Sequence, residues 1–484
     1  MADILFTHSY FYKFDDKQWK NQQPYPPYGT LCAAAVLREC GFEVALFDTN
    51  LRDSPDEIGP ALAAARPRYL VIYDDGFNYL TKMCLTRMRE AAFAMAKTGR
   101  AAGCTVIVSS SDATDHCAEY LAEGADFIVV GEGEITLREL ILALEAGRSD
   151  CRGIAGLAFA DPATGEVVST PPRPVLHDLD QLPDPAWDLV EMADYQRIWR
   201  RHGYFSLNLA TTRGCPYKCN WCAKPIYGNR YNSRSPERVV AEIEGLMQRY
   251  GATHFWMSDD IFGLKPGWVQ RFRELVKARN LRFSYKIQSR VDLLLKEDNI
   301  AALAESGLQQ AWVGAESGAQ KILDAMDKGT TVQEIREATR LLKKHGVEVC
   351  FFLQYGYLGE TRDDIEATLR LVEELLPHDI GVSVSYPLPG TKFYDKVRTL
   401  LGVKHNWTDS DDLAMLYPAT FPPAFYRRLH RLTHKRFRLR QGLAECRKLL
   451  RGKRPDWRRA LLTAYYAPAA WVDGIKLNRL ERST

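Results

Sequence analysis

The sequence lacks any apolar run long enough to cross a bilayer, and its N-terminus lacks the features of a secretion signal. No stretch approaches the roughly 18 uninterrupted apolar residues of a transmembrane helix. Residues 1–4 have neither the basic start nor the long apolar segment of a signal peptide, so we expect a cytoplasmic protein. Hydrophobic and charged residues make up 46% and 26% of the 484 residues, which is ordinary for a chain with several folded domains.

Cysteine is scarce, and three of the eleven cysteines are clustered. The scattered ones lie mostly among apolar neighbours and are expected to be reduced core thiols. Cys215, Cys219 and Cys222 follow the order C-x-x-x-C-x-x-C in "RGCPYKCNWC". A structural zinc site would need a fourth ligand nearby, but the flanking histidines, His202 and His254, are distant in sequence. Three thiolates without a fourth ligand favour a four-iron four-sulfur cluster with one iron open, which is a catalytic feature.

Residues 1–150 alternate short apolar runs with helical patterns. The runs "DILF", "EVALFD", "YLVIYDD", "TVIVSSS" and "DFIVVGEGE" are typical of buried strands that end in polar residues or glycine. Helical segments such as "LCAAAVLREC" and "TLRELILALEAG" separate them. This alternation predicts an α/β fold with a Rossmann-like, doubly wound parallel sheet, which binds ligands beyond the carboxyl ends of its strands.

A proline-rich linker is predicted over residues 151–200, with a hairpin turn at "DPATGE". A second strand–helix series follows over residues 201–404. Its six predicted strands fall short of the eight of a closed barrel, so we expect a partial (β/α)6 barrel. The cysteine motif directly follows the first of these strands, at the face where such barrels carry out their chemistry.

The cysteine spacing, with Trp221 directly before the last cysteine, resembles that of the radical S-adenosylmethionine (SAM) superfamily. Further matches are "MSDD" (257–260), "SRVDLL" (289–294), "GAESGAQKILDAMDKGTT" (314–331) and "FFLQYGYLGET" (351–361). In that family the open iron chelates the amino and carboxylate groups of SAM, and an electron cleaves SAM to methionine and a 5′-deoxyadenosyl radical. The resemblance implies that Cys215, Cys219 and Cys222 ligate the cluster of an enzyme served by an electron donor such as flavodoxin or ferredoxin.

The cysteine motif and these segments contain the residues that the resemblance assigns to SAM binding, namely Trp221, Asp259, Arg290, Glu316 and Ser317. Asp259 is also consistent with a helix cap, and Arg290 with a solvated ion pair. Glu316 follows the apolar run "AWVG", where a carboxylate needs a partner, and the ribose or ammonium group of SAM would serve. Trp221 either packs under the cluster or recognises adenine.

The first 150 residues resemble the cobalamin-binding domain that is fused to many radical SAM enzymes. The matching segments are "PPYGTLCAAAVLRECGFEVALFD" (26–48), "VSSSDAT" (108–114) and "ADFIVVGEGEITLREL" (125–140). The resemblance implies cobalamin contacts from Ser109, Ser110, Gly131 and Glu132. The D-x-H-x-x-G motif of an axial histidine is absent, and serines replace the glycine pair after the fourth strand. A Rossmann-like domain that has lost its ligand is the structural alternative.

Both cofactors together predict a reaction at carbon. Our first interpretation is radical C-methylation of an unactivated carbon of a small-molecule substrate, with methylcobalamin as the methyl source. The domain order also resembles the anaerobic magnesium-protoporphyrin monomethyl ester cyclase, which forms a ring oxidatively without adding a methyl group. A cobalamin-binding sensor is an alternative from another class, but it would have no use for the cysteine motif.

The segment 405–484 is predicted to be helical and is strongly basic. From Phe421 onward it contains 17 Lys and Arg against four Asp and Glu, although the net charge of the whole chain is only +3. Three hypotheses stay open: a solvated helical lid over the barrel, a nucleic-acid-binding surface, and peripheral attachment to an anionic membrane at the inner face. A recognition module for nucleic acid is missing, and the membrane hypothesis suits a hydrophobic substrate.

Overall fold

The computed structural model describes residues 2–224, 226–450, 452 and 454–481. Its contacts divide the chain into two compact units. Unit 1 comprises the residues up to Tyr217, Ala223–Tyr285 and Asn406–Asp412, and unit 2 comprises Lys218–Cys222, Lys286–His405 and the residues from Leu413 onward. The four sequence segments proposed above, 1–150, 151–200, 201–404 and 405–484, stay a prediction.

The strands come in two groups, one in the first 170 residues and one between residues 206 and 384. They are β1 (Ile4–Thr7), β2 (Val44–Phe47), β3 (Tyr69–Tyr73), β4 (Thr105–Ser109), β5 (Phe127–Val129), β6 (Leu157–Ala160), β7 (Val167–Ser169), β8 (Ser206–Leu209), β9 (Thr212–Arg213), β10 (Asn232–Ser233), β11 (His254–Met257), β12 (Ser284–Ser289), β13 (Leu308–Glu316), β14 (Glu348–Tyr355) and β15 (Asp379–Val384).

The helices separate most of these strands and form the C-terminal end of the described chain. They are α1 (Asp16–Asn21), α2 (Tyr28–Glu39), α3 (Ile58–Ala65), α4 (Tyr79–Lys82), α5 (Thr86–Ala101), α6 (Ser111–Asp115), α7 (Cys117–Ala122), α8 (Glu134–Glu145), α9 (Met192–Trp199), α10 (Pro236–Tyr250), α11 (Trp268–Ala278), α12 (Glu297–Glu305), α13 (Gln320–Ala325), α14 (Val332–Lys344), α15 (Arg362–Leu375), α16 (Lys392–Val397), α17 (Pro423–Leu450) and α18 (Trp457–Glu481).

The N-terminal sheet is doubly wound, as the sequence predicts. Its strand order is β2-β1-β3-β4-β5-β6-β7, and the first five strands run parallel. Alternate residues of these strands belong to two separate apolar cores, for example Leu70 to one and Val71 to the other, so both faces are covered. The order reverses between β1 and β3, and parallel sheets bind ligands in the crevice at such a switch point.

The segment 151–200 is more regular than a proline-rich linker. The predicted "DPATGE" turn connects β6 and β7, and this hairpin joins the N-terminal sheet with β6 antiparallel to β5. Leu157 and Phe159 are buried in one core of that sheet. Burial of these apolar residues against β5 gives the hairpin its place, and single-segment patterns do not reveal such pairing.

The second sheet has the order β15-β14-β13-β12-β11-β8, so its six strands follow the chain order. The pairs β8–β11, β13–β14 and β14–β15 are parallel. This arrangement confirms the predicted partial barrel. A register shift interrupts the β13–β14 pairing between Gly314 and Glu316, where the segment "GAESGAQKILDAMDKGTT" (314–331) begins.

Helix α17 lies against β15 and α15, and α18 folds back along α17. The side chain of Gln441 donates a hydrogen bond to the carbonyl of His378 at the start of β15 (3.0 Å), and the hydroxyls of Thr433 and Tyr355 lie 3.2 Å apart. The basic helix therefore covers the edge strand of unit 2, where unpaired backbone groups would otherwise face water. In the part of the chain that the structure describes, no helix is both long and apolar enough to cross a membrane.

Candidate functional site

The three motif cysteines lie in the irregular loop that follows β9. All three lie outside disulfides and are partly exposed. Within residues 2–224, 226–450 and 454–481, no three Cys, His, Asp or Glu side chains are arranged to hold a single metal ion. Ligation of a cluster by Cys215, Cys219 and Cys222 therefore stays a prediction, which their chemistry supports because accessible thiols are the ligands that iron–sulfur clusters use.

In unit 2, Cys219 is held close to a cationic side chain. The Nη1 atom of Arg290 lies 3.7 Å from the sulfur of Cys219, and its guanidinium also pairs with Asp292 at 3.0 Å. Next along the loop, the backbone N–H of Asn220 donates to the carbonyl of Met326 and its side chain donates to the carbonyl of Ala325. The loop is thus anchored at Asn220, and the guanidinium of Arg290 lies next to Cys219.

Glu316 forms a buried ion pair that the sequence did not predict. Its Oε1 atom lies 2.9 Å from the ammonium of Lys328, and both side chains are less than 10% exposed. Burial lowers the pKa of Lys328, but the combined effect of neighbouring groups, with Glu316 first among them, raises that pKa above its usual value. The same ammonium lies 6.0 Å from the ring of Trp221, so the pair is next to the cysteine loop.

The backbone at Glu316 is strained. Its φ angle is +54°, which is uncommon for a residue with a side chain and concentrates at functional sites. A side chain at Gly314 would collide with both Glu316 and Lys328, so the ion pair needs glycine two residues before Glu316. Strain and close packing together hold this carboxylate in one position.

Ser317 and Trp221 differ in the hydrogen bonding of their polar side-chain atoms. The hydroxyl of Ser317 is buried against the hydroxyl of Thr368 at 3.1 Å and accepts the backbone N–H of Ala319. The indole N–H of Trp221 is buried and has no acceptor among the described residues. Buried donors normally have a partner, so Trp221 is the better candidate for contact with a bound group.

Asp259 in unit 1 holds the chain that leads into the cysteine loop. Its carboxylate accepts the backbone N–H groups of Thr211 and Thr212 at 2.7 and 2.6 Å, and the hydroxyl of Thr211 at 2.8 Å. Burial raises its pKa from the ordinary value of 3.8 to about 6, against the opposing effect of these hydrogen bonds. The geometry gives Asp259 the role of a positioning residue.

A pH dependence of stability follows from the buried carboxylate of Asp259. Because its pKa of about 6 exceeds 3.8, the folded state binds the proton more tightly, and the free energy of unfolding falls as pH rises between these values. We expect Asp259→Asn to remove about 3 kcal/mol of this pH-dependent decrease in the free energy of unfolding, because an amide does not titrate. The amide can still accept from the backbone N–H groups and donate to Thr211. Denaturant unfolding of wild type and variant from pH 4 to pH 8 measures the difference.

The matched control for this variant is Asp259→Ala, which should lower stability at every pH because three donors lose their acceptor. Asp74 and Asp115 also have pKa values raised to about 6, mainly by burial, so the wild-type profile contains their titration too. Only the difference between wild type and Asp259→Asn isolates Asp259. Parallel profiles for these two proteins would contradict the assigned role.

Arg213, two residues before Cys215, is buried in unit 1 between two carboxylates of the N-terminal segment. Its guanidinium pairs with Glu132 and lies 2.6 Å from Glu134. It also lies over the rings of Phe77 and Tyr227. Glu132 in addition accepts the backbone N–H of Leu176. Glu132, predicted to contact cobalamin, is therefore engaged in a buried ion-pair cluster.

The other predicted cobalamin contacts lie at the carboxyl edge of the N-terminal sheet. Ser110 caps α6 by accepting the backbone N–H of Ala113, and Ser109 is buried beside Gly133. Gly131 has φ +79°. The hydroxyl of Ser111 is buried without a partner among the described residues, as is that of Tyr10 beyond β1. These two unpaired hydroxyls and the small residues around β4 fit a polar ligand at this edge.

The structure thus brings together Cys219, Trp221, Arg290 and Glu316 within unit 2, and places Asp259, Glu132 and the serines in unit 1. Sequence reasoning missed Lys328 and Arg213, whereas Ser111 was already among the serines that replace the glycine pair after the fourth strand. Lys328 lies in the quoted segment "DAMDKGTT", and a lysine next to a glycine turn in that segment was the available signal. For Arg213 the signal was its place just before the motif.

Comparison with known proteins identifies the central domain. Residues 209–372 match the Radical SAM superfamily. Over 58% of this chain, the sequence is 32% identical to an uncharacterized methyltransferase of Pyrococcus horikoshii and 30% identical to the anaerobic magnesium-protoporphyrin IX monomethyl ester cyclase of Rubrivivax gelatinosus. The matches span 60% and 51% of those relatives. For residues 209–372, these matches confirm the resemblance to the Radical SAM superfamily that the cysteine motif indicated.

A solved structure shares the fold. The radical SAM methyltransferase TsrM of Kitasatospora setae, with cobalamin and a [4Fe-4S] cluster bound, superposes with a TM-score of 0.67 at 20% sequence identity. The match covers 84% of this chain and 76% of that one. The similarity confirms the predicted order of a doubly wound sheet followed by a partial barrel.

Proposed function

Because residues 209–372 carry a Radical SAM domain, we propose that this protein is a cobalamin-dependent radical SAM enzyme that methylates an unactivated carbon of a small molecule. The observation that carries the proposal is the assembly around the cysteine loop in unit 2. The guanidinium of Arg290 lies beside Cys219, and the buried indole N–H of Trp221 has no acceptor among the described residues. The buried carboxylate of Glu316, whose backbone is strained, pairs with Lys328.

The charges of this assembly match the two ends of an amino acid. The methionyl part of SAM carries an ammonium and a carboxylate, for which Glu316 and the cations Lys328 and Arg290 are complementary. Trp221 offers its indole N–H and ring to the same ligand. Ser317, already hydrogen-bonded to Thr368, holds the turn after Glu316 rather than the ligand. We assign cluster ligation to the three motif cysteines.

When bound, the cluster supplies the electron that cleaves SAM, and cobalamin supplies a methyl group. The residues of this chain orient those groups and exclude water. Asp259 and the Arg213 cluster fix the chain that enters the cysteine loop, while Ser109, Ser110, Ser111 and Gly131 line the edge proposed for cobalamin. An external low-potential donor such as flavodoxin or ferredoxin must supply the electron.

The identity to the Rubrivivax gelatinosus cyclase favours a second candidate, oxidative ring formation without methyl transfer. The two reactions differ in the fate of the SAM methyl group, because only methylation moves it into product. A cobalamin-binding sensor would leave the loop assembly without a role. The substrate of either reaction is proposed to be a small molecule.

One experiment tests the proposal in two steps. Protein purified without oxygen from cobalamin-supplied cells is expected to carry a corrinoid spectrum at about one equivalent, and Cys219→Ala, altered outside the N-terminal segment, should keep it. Cell extract supplied with methyl-labelled SAM should then yield a labelled product. Absence of corrinoid after reconstitution contradicts the proposal, and SAM cleavage without label transfer favours the cyclase reaction.

A further inference from the structure

The basic residues of α17 are largely occupied by ion pairs within unit 2. Arg436 lies 2.5 Å from Glu373, and Arg438 lies 3.0 Å from Asp379. Arg428 and Lys435 both pair with Asp473 of α18 at 2.7 and 2.6 Å. Most of the charge excess of this helix therefore attaches it to the edge of the sheet and to α18.

Helix α18 has one face against the protein and one unusual face toward water. Ala470, Asp473 and Leu477 are buried on the inner face. On the outer face, the exposed fractions are 58% for Trp457, 73% for Leu461, 59% for Tyr465 and 69% for Trp471. Large apolar and aromatic side chains are rarely grouped on the surface of a protein unless they contact something.

The exposed residues form a continuous stripe. At 3.6 residues per turn, Trp457, Leu461, Tyr465, Pro468, Trp471 and Val472 fall within an arc of about 120°, and the stripe is about 22 Å long. Between Trp457 and Lys476 the only acidic residue is Asp473, which is buried and paired. The outer face is therefore apolar along its length and carries no negative charge.

Positive charge frames the stripe at both ends. Arg454 and Arg458 are exposed around the start of the helix, where the intervening Asp456 pairs with Arg459, and Lys476 and Arg479 are exposed near its end. A second copy of the chain, in either direction, would bring basic ends against basic ends. A surface with an apolar interior and negative headgroups complements the stripe at every point, and tryptophan and tyrosine favour that boundary.

We infer that the outer face of α18 is a docking surface for an anionic lipid bilayer, on which the helix lies flat. The inner face holds α18 against α17, so only the outer stripe can enter the headgroup region. The inference is independent of the proposed reaction, because lipid binding requires neither the cluster nor SAM.

Flotation of the full-length protein with vesicles tests this inference. We expect binding to vesicles of phosphatidylcholine with about one third phosphatidylglycerol, weaker binding to phosphatidylcholine alone, and further weakening in high salt because headgroup attraction is screened. The double variant Leu461→Ser/Trp471→Ser should lose at least about tenfold in partition coefficient. Arg454→Gln/Arg458→Gln should lose affinity only for the anionic vesicles.

The matched control is Leu400→Ser/Val403→Ser, which removes two exposed apolar side chains outside α18 and should bind like wild type. Cys219→Ala should also bind like wild type, so failure of the proposed reaction and failure of this inference are distinguishable. Circular dichroism establishes that each variant is folded. Absence of vesicle binding, or equal binding by Leu461→Ser/Trp471→Ser, overturns the inference. So does sedimentation showing a dimer that this variant alone disrupts.

Discussion

Replacing Cys219 by alanine is expected to abolish both the iron–sulfur cluster and the reductive cleavage of SAM. Anaerobically reconstituted wild type should bind about four irons and absorb broadly near 400 nm, whereas Cys215→Ala, Cys219→Ala and Cys222→Ala should each lack that absorption. The effect is complete because three thiolates are already one fewer than the irons of the cluster. Iron analysis and formation of 5′-deoxyadenosine measure the two losses.

The matched control for these variants is Cys446→Ala. Like the motif cysteines, Cys446 is partly exposed and outside any disulfide, but it lies on α17. It should leave iron content and SAM cleavage unchanged. Full cleavage by any of the three motif variants would sink the assignment of a radical SAM centre.

Replacing Arg213 by methionine is expected to cause a large decrease in the free energy of unfolding. The substitution leaves Glu132 and Glu134 buried without their cation, and breaking a buried pair of this kind costs about 3–5 kcal/mol. Burial already raises the pKa of Glu132, and loss of the cation should raise it further. The folded variant therefore binds protons more tightly than the unfolded chain, and its stability should fall as pH rises.

Denaturant unfolding of Arg213→Met at several pH values measures this loss. The triple variant Arg213→Met/Glu132→Gln/Glu134→Gln removes all three charges and should recover much of the stability, because neutral groups carry a smaller burial cost. Arg197, whose pair with Asp194 is exposed, offers the control: Arg197→Met should change stability by about 0.5 kcal/mol or less. Equal effects of Arg213→Met and Arg197→Met would show that the Arg213 cluster is not structural.

The strand positions were predictable because buried parallel strands leave a short, continuous apolar signature. "YLVIYDD" became β3 and "VEVCFFLQYGY" became β14. The hairpin β6–β7 was predicted only as a turn, since its place depends on pairing with β5 rather than on its own pattern. Pairing between distant segments is a tertiary property that local periodicity does not contain.

The sequence indicated candidate site residues but did not indicate the residues with which they form ion pairs and hydrogen bonds. Cys219 and Glu316 were found from spacing and resemblance, but the ammonium that pairs with Glu316 comes from Lys328, twelve residues further on. Asp259 was expected to contact SAM, and the structure engages its carboxylate with the backbone of Thr211 and Thr212. The interaction partners of a side chain depend on which strand ends lie next to one another. A single sequence does not contain that information.

The sequence by itself indicated the candidate cluster ligands, because the three thiols and their spacing are covalent facts that folding does not alter. It also determined the α/β order, since apolar runs of strand length between helical patterns permit few other arrangements. Only the tertiary structure decided which charged side chains form ion pairs and which side chains are buried or exposed. Most of the basic residues of α17 form ion pairs with the barrel or with α18. Arg213 is buried between two glutamates, and the apolar stripe of α18 is exposed. Whether a side chain is paired, buried or exposed depends on neighbours brought together from distant parts of the chain, and that information arises when the chain folds.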